Sequence, residues 1–236
     1  MPRDLQSIQD AEFGEITIKR RAGARSVRIQ MATDGRFSVS CGRLTPLGFI
    51  REFINQSRGE LRKMAARTSL ASPYEHGQAI GKQHRIAVVP TQMVDEPVVA
   101  TQKQQIIVKL PPTYSISDAA VQQQIRDAVG RALRKEAKQI LPPLLADLAS
   151  RHNFHYTRVR FSHAGSRWGS CSSNGTISLN IALMKLPDEL IRYVLIHELC
   201  HTRHMNHSTA FWQEVERYDP HYRSHRQQLK RHTPVL

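Results

Sequence analysis

Residues 196–208 read IHELCHTRHMNHS. His197, Glu198, His201, His204 and His207 all fall inside this stretch, and which of them share a helix face decides what the chain can be. His197 and His201 are four residues apart, so on a helix they stand about 40° apart and one turn along, and both imidazoles reach one ion. Glu198 follows the first of them, outside that coordination position but within reach of water there, where a general base belongs. A catalytic zinc usually takes three protein ligands and leaves one position open. His204 is too far from His197, because seven residues amount to about 10 Å of rise. His207 is the preferred third ligand, provided the chain turns between His204 and Asn206, where asparagine tolerates the required backbone angles. Glu214 on the next helix, and after it His221, remain alternatives. Cys200 points to another face and reads as a small buried residue.

Working outward, Leu186-Pro187-Asp188-Glu189 opens this helix with a proline and two acids in its first turn. Leu190, Ile191, Val194, Leu195 and Leu199 supply its buried face, and STAFWQEVERY continues as a further helix. Upstream, HYTRVRF and Thr176 to Leu179 alternate as strands around a turn-rich segment at 165–175. Val121, Ile125, Val129, Leu133, Ala137 and Ile140 predict a long amphipathic helix, bent or interrupted at Pro142-Pro143. In the first half, EITIKR, SVRIQMA and FSVSC alternate, with Thr33-Asp34-Gly35 as a hairpin turn, and one helix spans Phe49 to Met64 after Thr45-Pro46. Extended segments follow at 79–89 and 97–110. The expectation is an α+β chain whose sheet is curved and mostly antiparallel. A β-rich subdomain would occupy 13–115 and the histidine-bearing subdomain 116–236.

The 236 residues carry thirty-four Lys and Arg against twenty Asp and Glu, a formal charge of +14 that favours anionic partners and leaves nucleic acid binding through a basic surface open. Aromatic residues are sparse among the basic runs, so a stacking platform for single strands is not expected. Three scattered cysteines make a disulfide framework improbable. The first residues lack the apolar run of a secretory signal, and no apolar stretch is long enough to span a bilayer. The compartment expected is therefore reducing and cytoplasmic, with no membrane partner.

Two segments, RWGSCSSNGTISLN at 167–180 and LPDELIRYVLIHELCHTRHMNHSTAFWQEV at 186–215, resemble the YgjP-like metal-dependent hydrolases, a group near the SprT-like and WLM zinc metallopeptidases. The likeness extends to GKQHRIAV at 81–88 and to nearly the whole chain. It implies a zincin-like fold with an HExxH active-site helix, Zn(2+) held by His197, His201 and His207, and Glu198 as catalytic base. It also implies that Trp168-Gly169-Ser170-Cys171 is a signature before that helix, and that Thr176 to Leu179 lines the cleft with an exposed edge for an extended peptide. Tyr222, Arg167 and His221 are the candidates for stabilising the oxyanion. The function implied is a zinc metallopeptidase acting on peptide or protein. The alternatives are a metal-dependent nucleoside triphosphate pyrophosphatase, which the many arginines would suit, and a basic nucleic-acid-associated protein with a structural zinc.

Overall fold

The structure, a computed structural model, describes residues 6–24, 26–31, 37–69 and 73–235, with the backbone alone at 66–69. The chain forms two compact units that divide between Ser72 and Pro73. The sequence expectation placed its boundary at 115/116, but strands 79–110 pack on the long helix that follows them and fall in the second unit.

The first unit contains β1 (Gln6–Asp10), β2 (Gly14–Arg21), β3 (Arg28–Met31), β4 (Phe37–Gly42), α1 (Leu47–Gln56) and α2 (Arg58–Ser69). Its strands run in the order β1-β2-β4-β3, with β2 and β4 parallel and the outer pairs antiparallel. Alternation sends Ile16, Ile18, Phe37, Val39 and Cys41 to one face, where Ile50, Ile54 and Leu61 complete the core. The single helix expected over 49–64 is two, broken at Ser57, whose ψ of 3° departs from helical values. The Thr33-Asp34-Gly35 turn lies outside the described residues, while β3 and β4 on either side of it pair antiparallel.

The second unit opens with β5 (Ala79–Ile80), β6 (His84–Pro90), β7 (Val98–Gln102) and β8 (Gln105–Leu110), ordered β5-β6-β8-β7 with β6 and β8 parallel. Next comes α3 (Ala119–Arg151), which runs unbroken through Pro142 and Pro143. Each proline removes an amide donor, and the fully buried Leu141, Leu145 and Leu148 hold the turn in place through packing. A third sheet combines β9 (Arg158–Ser162), β10 (Gly169–Cys171) and β11 (Thr176–Asn180) in the order β10-β11-β9, with β11 antiparallel to β10 and parallel to β9. A short 3-10 helix (Ile181–Lys185), α4 (Asp188–Cys200), α5 (Thr209–Tyr218) and α6 (Tyr222–Leu229) complete the unit.

The class is α+β, but the expectation of a zincin-like, curved and mostly antiparallel sheet is corrected. Three separate sheets are present among the described residues, and each contains a parallel pair. Alternation reveals that a segment is a strand and which face it buries. It does not reveal its neighbour, and a parallel pairing across intervening chain leaves no local mark.

Candidate metal centre

Helix α4 is buried on nearly every side, from Leu190 and Ile191 through Val194, Leu195, Ile196 and Leu199 to Cys200. That envelope fixes its axis, and with it the positions of His197 and Glu198. The helix closes at Cys200, with His201 as its C-cap, and the amides of Arg203 and His204 fold back to the Cys200 carbonyl at 3.1 and 3.0 Å. The chain then bends through Met205 and Asn206. Ser208 caps α5, its hydroxyl accepting from the Phe211 amide at 3.4 Å, which leaves His207 at the last position before the new helix.

The turn is anchored by Arg203. Its guanidinium donates to the carbonyls of Asn153 at 2.5 Å and His152 at 3.2 Å, ion-pairs with Glu214, and lies 4.1 Å over the Phe154 ring. His204 Nε2 meets the other Glu214 oxygen at 2.7 Å. Glu214, one of the alternative ligands, is thereby committed to the turn that carries His207.

His197, His201 and His207 bring one ligand nitrogen each to within 4.8 Å of one another. The Nε2 atoms of His197 and His207 are 3.2 Å apart, and two nitrogens on one ion at about 2.0–2.1 Å with tetrahedral angles stand about 3.3 Å apart. His201 Nδ1 donates to the His204 carbonyl at 2.9 Å, which leaves its Nε2 lone pair available. Phe211 stacks on His201 at 4.4 Å and meets His197 and His207 edge-on at 4.9 Å each, while Trp212 stacks on His207 at 5.5 Å. Burial, followed by the neighbouring His201, His207 and Arg226, pushes His197 down to about 3, and burial and His207 lower His201. Neutral imidazole is the form that accepts a metal. His201 is buried and His207 exposed, so the cluster opens on the His207 side. The HExxH unit expected within one helix is accordingly corrected to a three-histidine cluster, built by the end of α4 and the chain beyond its turn.

Glu198 is 4% exposed and its Oε2 is buried without a hydrogen-bond partner. Burial raises its pKa to about 8, against the pull of the exposed Arg167. A buried carboxylate with an orphaned oxygen is costly unless positive charge stands nearby, so the donor set and its surroundings fit a cation. The carboxylate lies directly against the backbone of Gly169: a Cβ placed there would stand 2.5 Å from Oε1.

Tyr222 is buried against Trp212 at 5.5 Å, and its hydroxyl accepts from Arg223 Nε at 3.2 Å. His221 precedes α6, and its ring lies near that of His225 rather than in the histidine cluster. The strand expected to offer a free edge, β11, is central and paired on both sides, so that reading is corrected. The open edge beside α4 belongs to β10. Sequence reasoning missed the closeness of Gly169 to Glu198, although a glycine within a strand is a known sign of close approach. It also missed the Arg203–Glu214–His204 network, which no spacing rule reveals.

Residues 25–232 match the YgjP-like family, metallopeptidase domain. The chain belongs to that family. Its YgjP-like domain is a metallopeptidase-like hydrolase, an enzyme with a histidine cluster able to hold a metal ion. Among solved structures, the YgjP-like chain is similar to the metallopeptidase zymogen of Pyrococcus abyssi abylysin, with 28% identity and a TM-score of 0.36 over 38% of this chain and 91% of that one. It is also similar to the metallopeptidase zymogen of Methanocaldococcus jannaschii jannalysin, with 19% identity and a TM-score of 0.34 over 38% of this chain and 92% of that one. No curated protein matches the chain. No helix among the described residues is long and apolar enough to cross a membrane.

Proposed function

We propose that this YgjP-like domain holds one zinc ion on His197, His201 and His207 and hydrolyses peptide bonds, with Glu198 as general base. The observation that carries the reading is the 3.2 Å approach of His197 Nε2 to His207 Nε2, in a cluster where His201 Nδ1 is already satisfied. Three imidazole ligands suit zinc among the available divalent ions. Zinc there supplies Lewis acidity toward a substrate carbonyl and water, and a charge that draws the Glu198 carboxyl back toward ionisation.

Glu198 receives a proton from the attacking water on its carboxylate, whose buried Oε2 no hydrogen bond ties down, and returns that proton to the leaving amine nitrogen. Arg167 stabilises the oxyanion, since its guanidinium is exposed and its charge reaches Glu198. Tyr222 is the second choice, because its ring and hydroxyl are already engaged by Trp212 and Arg223. The substrate lies extended along β10. Trp168 and Ser172 bond to β11 through their carbonyl and amide, so the alternate residues Gly169 and Cys171 turn their backbone groups to the open edge.

The test pairs metal content with turnover of an unstructured, fluorescence-quenched protein. Glu198→Gln should keep one zinc per chain and lose cleavage, and His207→Ala should lose the zinc. Full cleavage by Glu198→Gln, or pyrophosphate release from nucleoside triphosphates with no peptide cleavage under zinc, manganese or magnesium, would refute the proposal.

A further inference from the structure

Helix α3 carries a stripe of cations for which the hydrolytic reading has no use. Arg131, Arg134, Lys135 and Lys138 lie within about 100° of the helix circumference and about 10 Å along its axis. All four are exposed, and among the described residues none forms an ion pair or a side-chain hydrogen bond. Two of the acids on the same helix, Glu136 and Asp147, are engaged elsewhere, while Asp127 is bonded to a neutral amide. Glu136 points inward and accepts from the amides of Lys82 and Gln83 and from His84. Asp127, at the N-terminal margin of the stripe, accepts from Gln123 at 3.2 Å, and Asp147 pairs with Arg151 at 2.8 Å.

His163 is close enough to Arg134 and Lys185 to feel both charges, and the 3-10 helix that carries Lys185 packs on α3. His163 follows β9, and burial, followed by the charges of Arg134 and Lys185, pushes it down to about 4. Lys185 is exposed, and its ammonium donates to the Val235 carbonyl at 3.0 Å. No carboxylate is among the groups acting on His163 or Lys185. Cations gathered in this way repel one another until a partner brings the opposite charge.

We propose that this face of α3, with Arg131, Arg134, Lys135 and Lys138 and with Lys185 at its side, docks the phosphate backbone of double-stranded nucleic acid. A duplex is favoured over a single strand because the large exposed hydrophobic side chains, such as Phe49, Met93, Tyr114 and Met205, all lie off this helix, so no base-stacking platform accompanies the charge. A lipid surface is disfavoured because the apolar side of α3 is spent on the core, from Val121 to Leu148, and none of it remains to enter a bilayer. Paired guanidinium donors match phosphate oxygens in a way that favours arginine-bearing stripes for this ligand. The site needs neither the metal nor Glu198, so it stands or falls independently of the hydrolytic proposal.

The experiment is fluorescence anisotropy of the full chain with a labelled duplex DNA of arbitrary sequence, titrated with salt. Four phosphate contacts give a log–log slope of about −3.6, a loss of affinity of about a hundredfold between 50 and 200 mM salt. Arg134→Gln with Lys138→Gln should halve that slope with an unchanged thermal midpoint, because both side chains are exposed. Lys19→Gln with Arg21→Gln removes the same charge from exposed positions on β2 and should leave the slope near its original value. Absence of duplex binding at 50 mM salt, equal losses in the two double variants, or binding to vesicles of anionic phospholipid in place of the duplex would overturn the proposal.

Discussion

Gly169→Ala tests whether Glu198 works from the place it occupies. A Cβ at position 169 would stand 2.5 Å from Oε1, 2.7 Å from Cγ and 2.8 Å from Cδ of Glu198, whereas ordinary contact begins at 3.4 Å. The carboxylate must therefore retreat by about 0.6–0.9 Å, since β10 is held by its ladder to β11 and α4 by its buried envelope. A displacement near 1 Å at a reacting group costs about a hundredfold in rate, or about 2.7 kcal/mol of barrier. The three atoms nearest that Cβ all belong to Glu198 and none to a histidine, so zinc content should remain that of the parent chain. The assay is kcat/KM on the quenched unstructured protein, alongside metal analysis and a thermal melt. The decisive comparison is a double-mutant cycle, in which Gly169→Ala added to Glu198→Gln should cause no further loss, because the two changes remove one contribution. Undiminished activity in Gly169→Ala would refute the reasoning, as would loss of the metal or a second hundredfold loss in the Glu198→Gln background.

Three further outcomes follow from named contacts. Arg203→Ala releases the turn from Asn153 and leaves Glu214 with His204 alone, and zinc affinity measured against a chromophoric chelator should fall about tenfold or more; unchanged affinity would show that His207 is held by other contacts. Gly81→Ala sets a Cβ 2.2 Å from Glu136 Oε2 and 2.6 Å from Leu133 Cδ2 at a φ of +60°, so the cost should be about 3 kcal/mol, with the melting point lower by roughly 6–12 °C; a shift within 2 °C would contradict it. His163 titrates at about 4 in the folded chain and at the ordinary 6.5 when unfolded, so the unfolded state takes up the proton first and stability falls as pH drops from 6.5 toward 4. Screening of this partly exposed ring limits the loss to about 1–2 kcal/mol, and His163→Phe should flatten the urea midpoint over that window relative to the parent chain; parallel pH profiles would rule the account out.

The histidine pair was legible because helical spacing is a local rule. Its period converts residue numbers directly into directions and rise, and on that basis alone it excludes His204. His207 was legible only conditionally, since its place depends on where the helix stops. That stop is enforced by Arg203 reaching Asn153 and His152, some fifty positions back in the chain. The sheets were the least legible part. Alternation in 14–21 and 37–42 correctly assigns Ile16, Ile18, Val39 and Cys41 to one buried face, yet the parallel pairing of β2 with β4 is chosen by chain crossing and by the helices that cover that face. The two prolines of α3 show the same limit, because local chemistry predicts a break and tertiary packing of Leu141, Leu145 and Leu148 prevents it.

Gly169 and Glu198 join these two kinds of information. On a strand, glycine is unfavourable by propensity, having no side chain to pack and more backbone freedom to lose. Its presence in β10 therefore implies a compensating demand, which the carboxylate lying on its Cα supplies. Gly81 repeats the pattern under the fully buried Glu136, at a positive φ that independently calls for glycine. In both places a buried carboxylate takes the space a methyl group would need, but the consequences differ. Glu136 accepts from two amides and a histidine and so fastens a turn to a helix, whereas Glu198 retains an unpartnered oxygen. A carboxylate that is fully bonded stabilises a fold. One that is buried, confined by its neighbours and left with an unbonded oxygen, on the helix that ends in the histidine cluster, is arranged to exchange a proton.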